Sequence, residues 1–424
     1  MSATLVILGI LILLVLRVPV GFAILGPCLV YMSLTDQSTG LSLRTAAQEV
    51  NSFPLLAVPL FILLGVVANH TGIADRIFAF AQVLLGRVRA SLGYVNIGVS
   101  LGFSWISGAA LADVAGTSKM IVPAMTERGY PRRFTLGLTA SSSLISPVMP
   151  PSIPAIVYAS VAAVSTAALF AAAVIPALLI AAGLALYVFL WSRKRPELAG
   201  QRAEPGSFRR TGLRVIGPLG APVILLGGIL SGLFTPTEAA AVGVAYVVVL
   251  GFIYRRLTLR SLWGIVVETA TTAASIALIL AASGLLGWVL ARERVPQDIA
   301  SFLLGFTDSP VVFLIMVNLA LIIIGALLEP MAALVITVPV LLPIASQFGV
   351  DPVHFGVIVI VNLMIGLLTP PIGGVLFVLG SATRTPMHEV FRGTAPFLIP
   401  ILAVLLLLTL APDLVLFLPG LLGL

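Results

Sequence analysis

Two stretches of this chain interrupt a membrane-length apolar segment with paired prolines, and both follow one plan. From Pro123 the sequence passes through a turn at Gly129 and an uncharged run to Pro150-Pro151. Pro343, Gly349, Pro370 and Pro371 repeat that order, each 220 residues after its counterpart. Ser142 and Asn362 keep the same offset, each eight residues before its proline pair. In lipid an unpaired backbone carbonyl costs several kcal/mol, so a broken helix survives there only where it lines a protein cavity or binds something. Two breaks in corresponding positions of two halves point to a transport site.

The chain is 59% hydrophobic and 9% charged, with a mean hydropathy of +1.17. Soluble proteins are about a quarter charged, so this is a polytopic membrane protein. Phe134 to Trp191 holds no charged residue, enough for about two crossings. The net charge of +7 does not argue for nucleic acid, because the arginines cluster in short loops between apolar segments, where they set orientation. The single cysteine, Cys28, sits in the first apolar segment and cannot form an internal disulfide. The N-terminus has no basic leader and reads as a retained helix. Arg17 and Pro19 leave segment 1–34 open to one long helix or two short ones.

Positive charge locates the cytoplasm. The loop Ser192 to Arg214 carries Arg193, Lys194, Arg195, Arg202, Arg209, Arg210 and Arg214 against Glu197 and Glu204, which places it inside. Segments near 215–234 and 238–254 then go out and return at Arg255, Arg256 and Arg260. Lys119 to Arg133 is also basic, with Lys119, Arg128, Arg132 and Arg133. Its counterpart, Pro339 to Val353, has no lysine or arginine and one acid, Asp351. Equivalent segments facing opposite ways make an inverted repeat. The domain reading is an N-terminal half, 1–191, a cytoplasmic loop, 192–214, and a C-terminal half, 215–424.

In each half a spanning helix, about 51–68 and about 265–290, precedes a charged amphipathic stretch (Asp75, Arg76, Arg87 and Arg89; Arg292, Glu293, Arg294 and Asp298). Two apolar pieces of about 15 residues follow, too short to cross singly. They read as re-entrant hairpins with tips near Ser107-Gly108 and from Gly325 to Pro330, each followed by a proline-broken helix.

Ser141, Ser142, Ser143, Ser146, Pro147, Pro150, Pro151, Ser152 and Pro154 form a kinked polar patch. It reads either as a helix whose hydroxyls bond back to freed carbonyls or as an ion or substrate site. Asn362, Thr369, Pro370 and Pro371 at the matching offset favour the site. Broken helices expose carbonyls that suit a cation and amides that suit a carboxylate. Asp113 and Glu329 are the acids nearest the tips, and a charge at membrane depth is a functional candidate. Lys119, at similar depth, reads as snorkelling to the surface. Thr235-Pro236-Thr237-Glu238 has a local explanation as a capping box. Asp351-Pro352 opens a helix in the same way, which makes His354 an end-of-helix residue. His70 and His388 fall in polar loops. The chain has no phosphate-binding GxxxxGK[ST] loop and no Cys/His cluster for a structural metal.

Several segments resemble the large membrane subunit of the tripartite ATP-independent periplasmic (TRAP) transporters, the DctM-like permeases. They are Ser107 to Asp113, Ile121 to Met125 with Arg128-Gly129-Tyr130, Pro147 to Pro154, Gly232 to Ala239, Gly349 to Gly356, and Asn362 with Gly366 to Gly373. Lys119 departs from the pattern, where an apolar residue is expected. The resemblance implies an all-α, elevator-type fold of the ion transporter superfamily in a bacterial inner membrane, embedded in lipid. It further implies sodium as coupling ion, no other cofactor, and an organic acid substrate. The implied partners are a DctQ-like small membrane subunit and a DctP-like periplasmic substrate-binding protein. Sodium is expected at Ser107, Gly108, Ser141, Ser142, Pro147, Gly325, Asn362, Gly366 and Thr369. Substrate is expected at Ser143, Pro150, Pro151, Asp113, Glu329, Pro370 and Pro371.

The alternatives are a self-sufficient sodium/carboxylate symporter of the same superfamily, an intramembrane enzyme that turns over without an ion gradient, and a passive channel. The charge asymmetry is directly testable. Single cysteines at Gln201 and Gln347, in a Cys28→Ala background, are expected to react with an impermeant thiol reagent from opposite faces of the membrane. Labelling of both from one face removes the inverted repeat.

Overall fold

The computed structural model describes residues 3–198 and 207–424, apart from 17, 36, 38 and 52. Among these the regular structure is helical. In chain order the helices are α1 Ala3–Val15, α2 Val20–Leu34, α3 Thr39–Val50, α4 Ala57–His70, α5 Ile73–Leu85, α6 Ser91–Ser107 and α7 Ala110–Glu127. Next come α8 Arg132–Ser142, α9 Ile145–Val148, α10 Ile153–Val161, α11 Thr166–Ser192, α12 Ser207–Leu230, α13 Pro236–Ile253 and α14 Leu259–Arg292. The chain ends with α15 Val295–Leu304, α16 Pro310–Leu327, α17 Pro330–Gln347, α18 Pro352–Gly366, α19 Gly374–Thr383, α20 Met387–Leu410 and α21 Pro412–Leu422. Among the described residues seven helices are long and apolar enough to span a membrane, or up to nine spans if each of two bent pairs counts as one.

The N-terminal segment is two short helices, and Arg17 between them lies outside the described residues. The basic loop is shorter than expected. Residues 199–206, including Arg202 and Glu204, lie outside the described residues, and Arg209, Arg210 and Arg214 belong to the start of α12. Lys119 is likewise inside α7, on an exposed face. The hairpin arms α6, α7, α16 and α17 have 17 or 18 residues instead of 15, so length alone would let each nearly cross. The long spanning helix of the second half starts earlier than expected, because α14 has 34 residues. His70 ends α4 and His388 lies in the first turn of α20, so neither is in a loop.

Local chemistry places the helix ends. Thr235 and Glu238 form the expected capping box, and Thr258 and Ser261 form another. Asp351 caps α18, accepting from the Val353 and His354 amides at 2.8 and 3.1 Å. His354 Nε2 meets the Leu408 carbonyl at 2.8 Å, a structural contact between α18 and α20. The turn between α7 and α8 is held by Tyr130, whose hydroxyl accepts from the Leu92 amide at 3.3 Å. Burial pushes that hydroxyl up to about 12, so it stays protonated at any physiological pH.

The two tip-and-break units embrace reciprocally. α8 packs on α20 and α18 on α11; α10 packs on α17 and α19 on α7. Two contacts fasten this exchange. The Tyr158 hydroxyl on α10 donates to the Pro352 carbonyl at 2.7 Å, and Arg132 at the start of α8 donates to Thr383 O and Thr385 Oγ1, both at 2.8 Å. Phe134, Tyr187, Trp191 and Phe397 fill the space between α8, α11 and α20. The closest crossing is at Gly137, where an added Cβ would lie 2.0 Å from the Gly393 carbonyl oxygen.

Gly137→Ala is therefore expected to force α8 from α20 and to destabilise by about 1–3 kcal/mol. Gly227→Ala, on α12 with open space around it, is expected to be neutral or to stabilise by about 0.5–1 kcal/mol. Thermal unfolding of both variants in one detergent makes the comparison.

Candidate functional site: paired tips, breaks and the cavity between them

Each hairpin tip lies against the broken helix that follows it. At the first tip the chain turns at Gly108, with φ +61°. An added Cβ there would lie 2.6 Å from the Pro151 carbonyl oxygen. At the second tip an added Cβ on Gly366 would lie 2.3 Å from the Gly325 backbone, and the Ile372 amide donates to Ala326 O at 3.3 Å. Only glycine allows backbone to approach backbone this closely. At the first break the Pro151 carbonyl thus faces the Gly108 tip. Ser152 caps α10, accepting from the Ala155 amide at 3.2 Å, and both X-Pro bonds, Pro150-Pro151 and Pro370-Pro371, are cis.

Behind each tip an asparagine on the first hairpin arm holds the broken helix. Asn96 donates to Thr139 Oγ1 at 2.9 Å and accepts from Ser142 Oγ at 3.0 Å. Ser100 completes this cluster, donating to Ser142 at 3.1 Å. In the second unit Asn362 donates to Asn318 Oδ1 at 2.7 Å and to Ile358 O at 2.8 Å, and Asn318 donates to Thr409 Oγ1 at 2.9 Å. Ser142 and Asn362 thus stand in corresponding places. Three buried oxygens near the breaks lack a hydrogen-bond partner: Asn362 Oδ1, Ser141 Oγ and Asp113 Oδ1. Each such atom costs about 1–3 kcal/mol unless something binds it.

A cavity of about 440 Å³ opens between the tips. It gathers Ser107, Gly108, Pro147 and Glu329 from the expected set, together with Gly65, Ile153, Thr272, Met364 and Glu268. The starts of three helices reach it, at Ala110 of α7, Ile153 of α10 and Pro330 of α17. Among the described residues, no lysine, arginine or histidine lines it. Glu329 is exposed and caps α17, accepting from the Ala332 amide at 3.0 Å. Glu268 is exposed on α14. Sequence reasoning passed over it, although it is the one acid in the apolar run from Ser261 to Ala291.

The remaining expected residues are elsewhere. Asp113 is fully buried, with Oδ2 accepting from Ser146 Oγ at 3.1 Å, and does not line the cavity. Ser143 is buried and donates to Ala140 O at 2.8 Å; Thr369 donates to Ile365 O at 3.0 Å. Ser141, Ser142, Gly325, Asn362 and Gly366 do not line the cavity; Gly325 and Gly366 form the second tip contact. The two breaks differ in access: Pro150 and Pro151 are buried, whereas Pro370 and Pro371 are exposed. None of the four prolines lines the cavity.

An all-helical, multi-pass chain with two hairpin tips seated on two broken helices, and a solute-sized cavity between them, defines a membrane transporter. Residues 7–414 match the family described as the tripartite ATP-independent periplasmic transporter, DctM component. The chain belongs to that family. It is 42% identical to the sialic acid TRAP transporter large permease protein SiaM of Vibrio cholerae, over 95% of each chain. It is 35% identical to the C4-dicarboxylate TRAP transporter large permease protein DctM of Pseudomonas aeruginosa, over 88% of this chain and 87% of that one. A similar fold occurs in the Alcanivorax borkumensis YdaH transporter, with a TM-score of 0.61, 14% identity and 87% of each chain covered.

Substitution at the first tip tests the close approach. Gly108→Ala places a side chain in a left-handed conformation, costing about 1–2 kcal/mol, and pushes the tip off Pro151. It is expected to lose most solute uptake at a normal level in the membrane, with Ala109→Gly as the tolerated neighbour. Uptake per unit of inserted protein is the measurement.

Proposed function

We propose that this chain is the large permease subunit of a sodium-coupled TRAP system that takes up an organic acid across the bacterial inner membrane. A DctP-like periplasmic binding protein would deliver the acid, and a DctQ-like small membrane subunit would complete the permease. The observation that carries the carboxylate is the cavity. Three helix N-termini open into it; Glu329 caps α17 and Ser152 caps α10, while the start of α7 at Ala110 has no side-chain cap and offers its amides and a partial positive charge to an anion. Its side chains supply no cation, so the anion is held by backbone and by coupling ions. The names of relatives support this choice of solute. Sialic acid is the first to try, because the 42% identical relative is named for it.

Sodium is supported by the unpartnered oxygens at the breaks. A hard cation takes neutral oxygen ligands, amide and carbonyl groups among them. Asn362 Oδ1 and Ser141 Oγ are buried oxygens of that kind. The transport unit is the pair of hairpins with their broken helices, moving against a scaffold of the remaining helices in the elevator manner. In this reading 1–191 and 215–424 are inverted halves joined by a cytoplasmic 192–214. Charge supports the inversion, since Arg128, Arg132 and Arg133 lie in the turn after α7 and the start of α8, whereas the turn after α17 has no lysine or arginine.

Liposomes holding this chain, a small membrane subunit and a sialic acid-loaded binding protein are expected to accumulate solute only under an inward sodium gradient. Ser142→Ala and Asn362→Ala are expected to shift half-saturation by sodium upward by about tenfold to a hundredfold, at unchanged protein level. Equal uptake driven by a proton gradient without sodium overturns the coupling. Uptake without the partner chains favours a self-sufficient symporter.

A further inference from the structure

Away from the transport cavity, three arginines from three elements converge on a second cavity of about 350 Å³. Arg76 comes from α5, Arg214 from α12 and Arg256 from the turn between α13 and α14. Among the described residues Asp75 is the one acid on its wall, so that lining carries two net positive charges. Among the described residues none of the three arginines has a carboxylate within ion-pair distance; the ion pair found among those residues, Arg195–Glu197, lies elsewhere. The site is organised in advance. The Arg76 guanidinium lies 3.3 Å over the Tyr254 ring, and Tyr254 is wedged on α12 at Gly217, where an added Cβ would strike its hydroxyl.

The surroundings select the ligand. Close in sequence to Arg214 and Arg256, Leu213 and Ile216 on α12 and Phe252 and Ile253 on α13 are exposed. These helices are apolar enough to span the membrane. The arginines therefore ring a pocket at a helix-end boundary where apolar surface meets polar surface. An anion captured there would carry its hydrophobic part along that surface. Arginine favours a planar, several-point grip on phosphate oxygens, and basic pockets between membrane helices accept phosphorylated headgroups.

We propose that Arg76, Arg214 and Arg256 bind the phosphate of an anionic phospholipid, which ties the amphipathic helix α5 to α12 and α13. Because α5 also packs against the first hairpin arm α6, the lipid braces the helix that abuts the first tip-and-break unit. This site is independent of the substrate and the coupling ion.

Native mass spectrometry of the full chain in detergent, titrated with phosphatidylglycerol, phosphatidylcholine or inorganic phosphate, provides the test. The wild-type chain is expected to retain phosphatidylglycerol in preference to phosphatidylcholine. The Arg214→Gln/Arg256→Gln pair should weaken retention by roughly fivefold per arginine removed. Lys194→Gln/Arg195→Gln removes equal charge beside a pocket that already contains Glu197 and should leave retention unchanged. Arg214→Lys/Arg256→Lys, which keeps the charge and the fold, should retain the lipid preference with reduced strength. Equal loss in both glutamine pairs, or equal binding of phosphatidylcholine, overturns the site. Full displacement of the lipid by millimolar inorganic phosphate identifies a soluble anion as its occupant and overturns the lipid.

Discussion

A backbone amide or carbonyl inside a membrane has no water to bond, and every unusual feature of this protein follows from that. The chain leaves regular helix geometry near Ser107–Ala109, Met149–Ser152, Leu328–Glu329 and Leu367–Gly373. At each place another part of the protein comes within contact: Pro151 against Gly108, Gly325 against Gly366, Ser152 and Glu329 on the amides that start the next helix. Bringing backbone to backbone excludes side chains, so the contacts at Gly108 and between Gly325 and Gly366 depend on glycine. The irregular segments are thus affordable only in pairs, which is why a tip and a break occur together twice.

The pairing also determines what chemistry is on offer. Helix starts crowd into the cavity at Ala110, Ile153 and Pro330. Asn96 and Asn318 join each first hairpin arm to its broken helix by side-chain hydrogen bonds. Glu268 and Glu329 face the same space.

The breaks were legible because proline and glycine act on the backbone directly. Pro150-Pro151 and Pro370-Pro371 remove amides, and Gly108 and Gly366 mark close approach. Caps at Thr235 and Asp351 were legible for the same local reason. The asparagine clamps were not, since Asn318 follows Asn96 by 222 residues and falls outside the 220-residue register. Asp113 shows a second limit. Sequence gives its depth, but only packing decides that it turns inward to Ser146 and away from the cavity. Glu268 escaped because it is distant in sequence from both tips and reaches them only through the fold of α14. The exchange of partners between the two units has no sequence signal at all, because apolar faces do not name their mates.

That exchange reaches into biosynthesis. α8 lies on α20, which enters the membrane more than two hundred residues later, and α10 waits for α17. When the ribosome has delivered the first tip and break, the surfaces that will cover them do not yet exist. The early half must therefore persist in the bilayer as a partly finished object, shielded by lipid, insertase or its own transient contacts, until the later half arrives. The order of synthesis, as much as the final packing, sets when this protein becomes a single body.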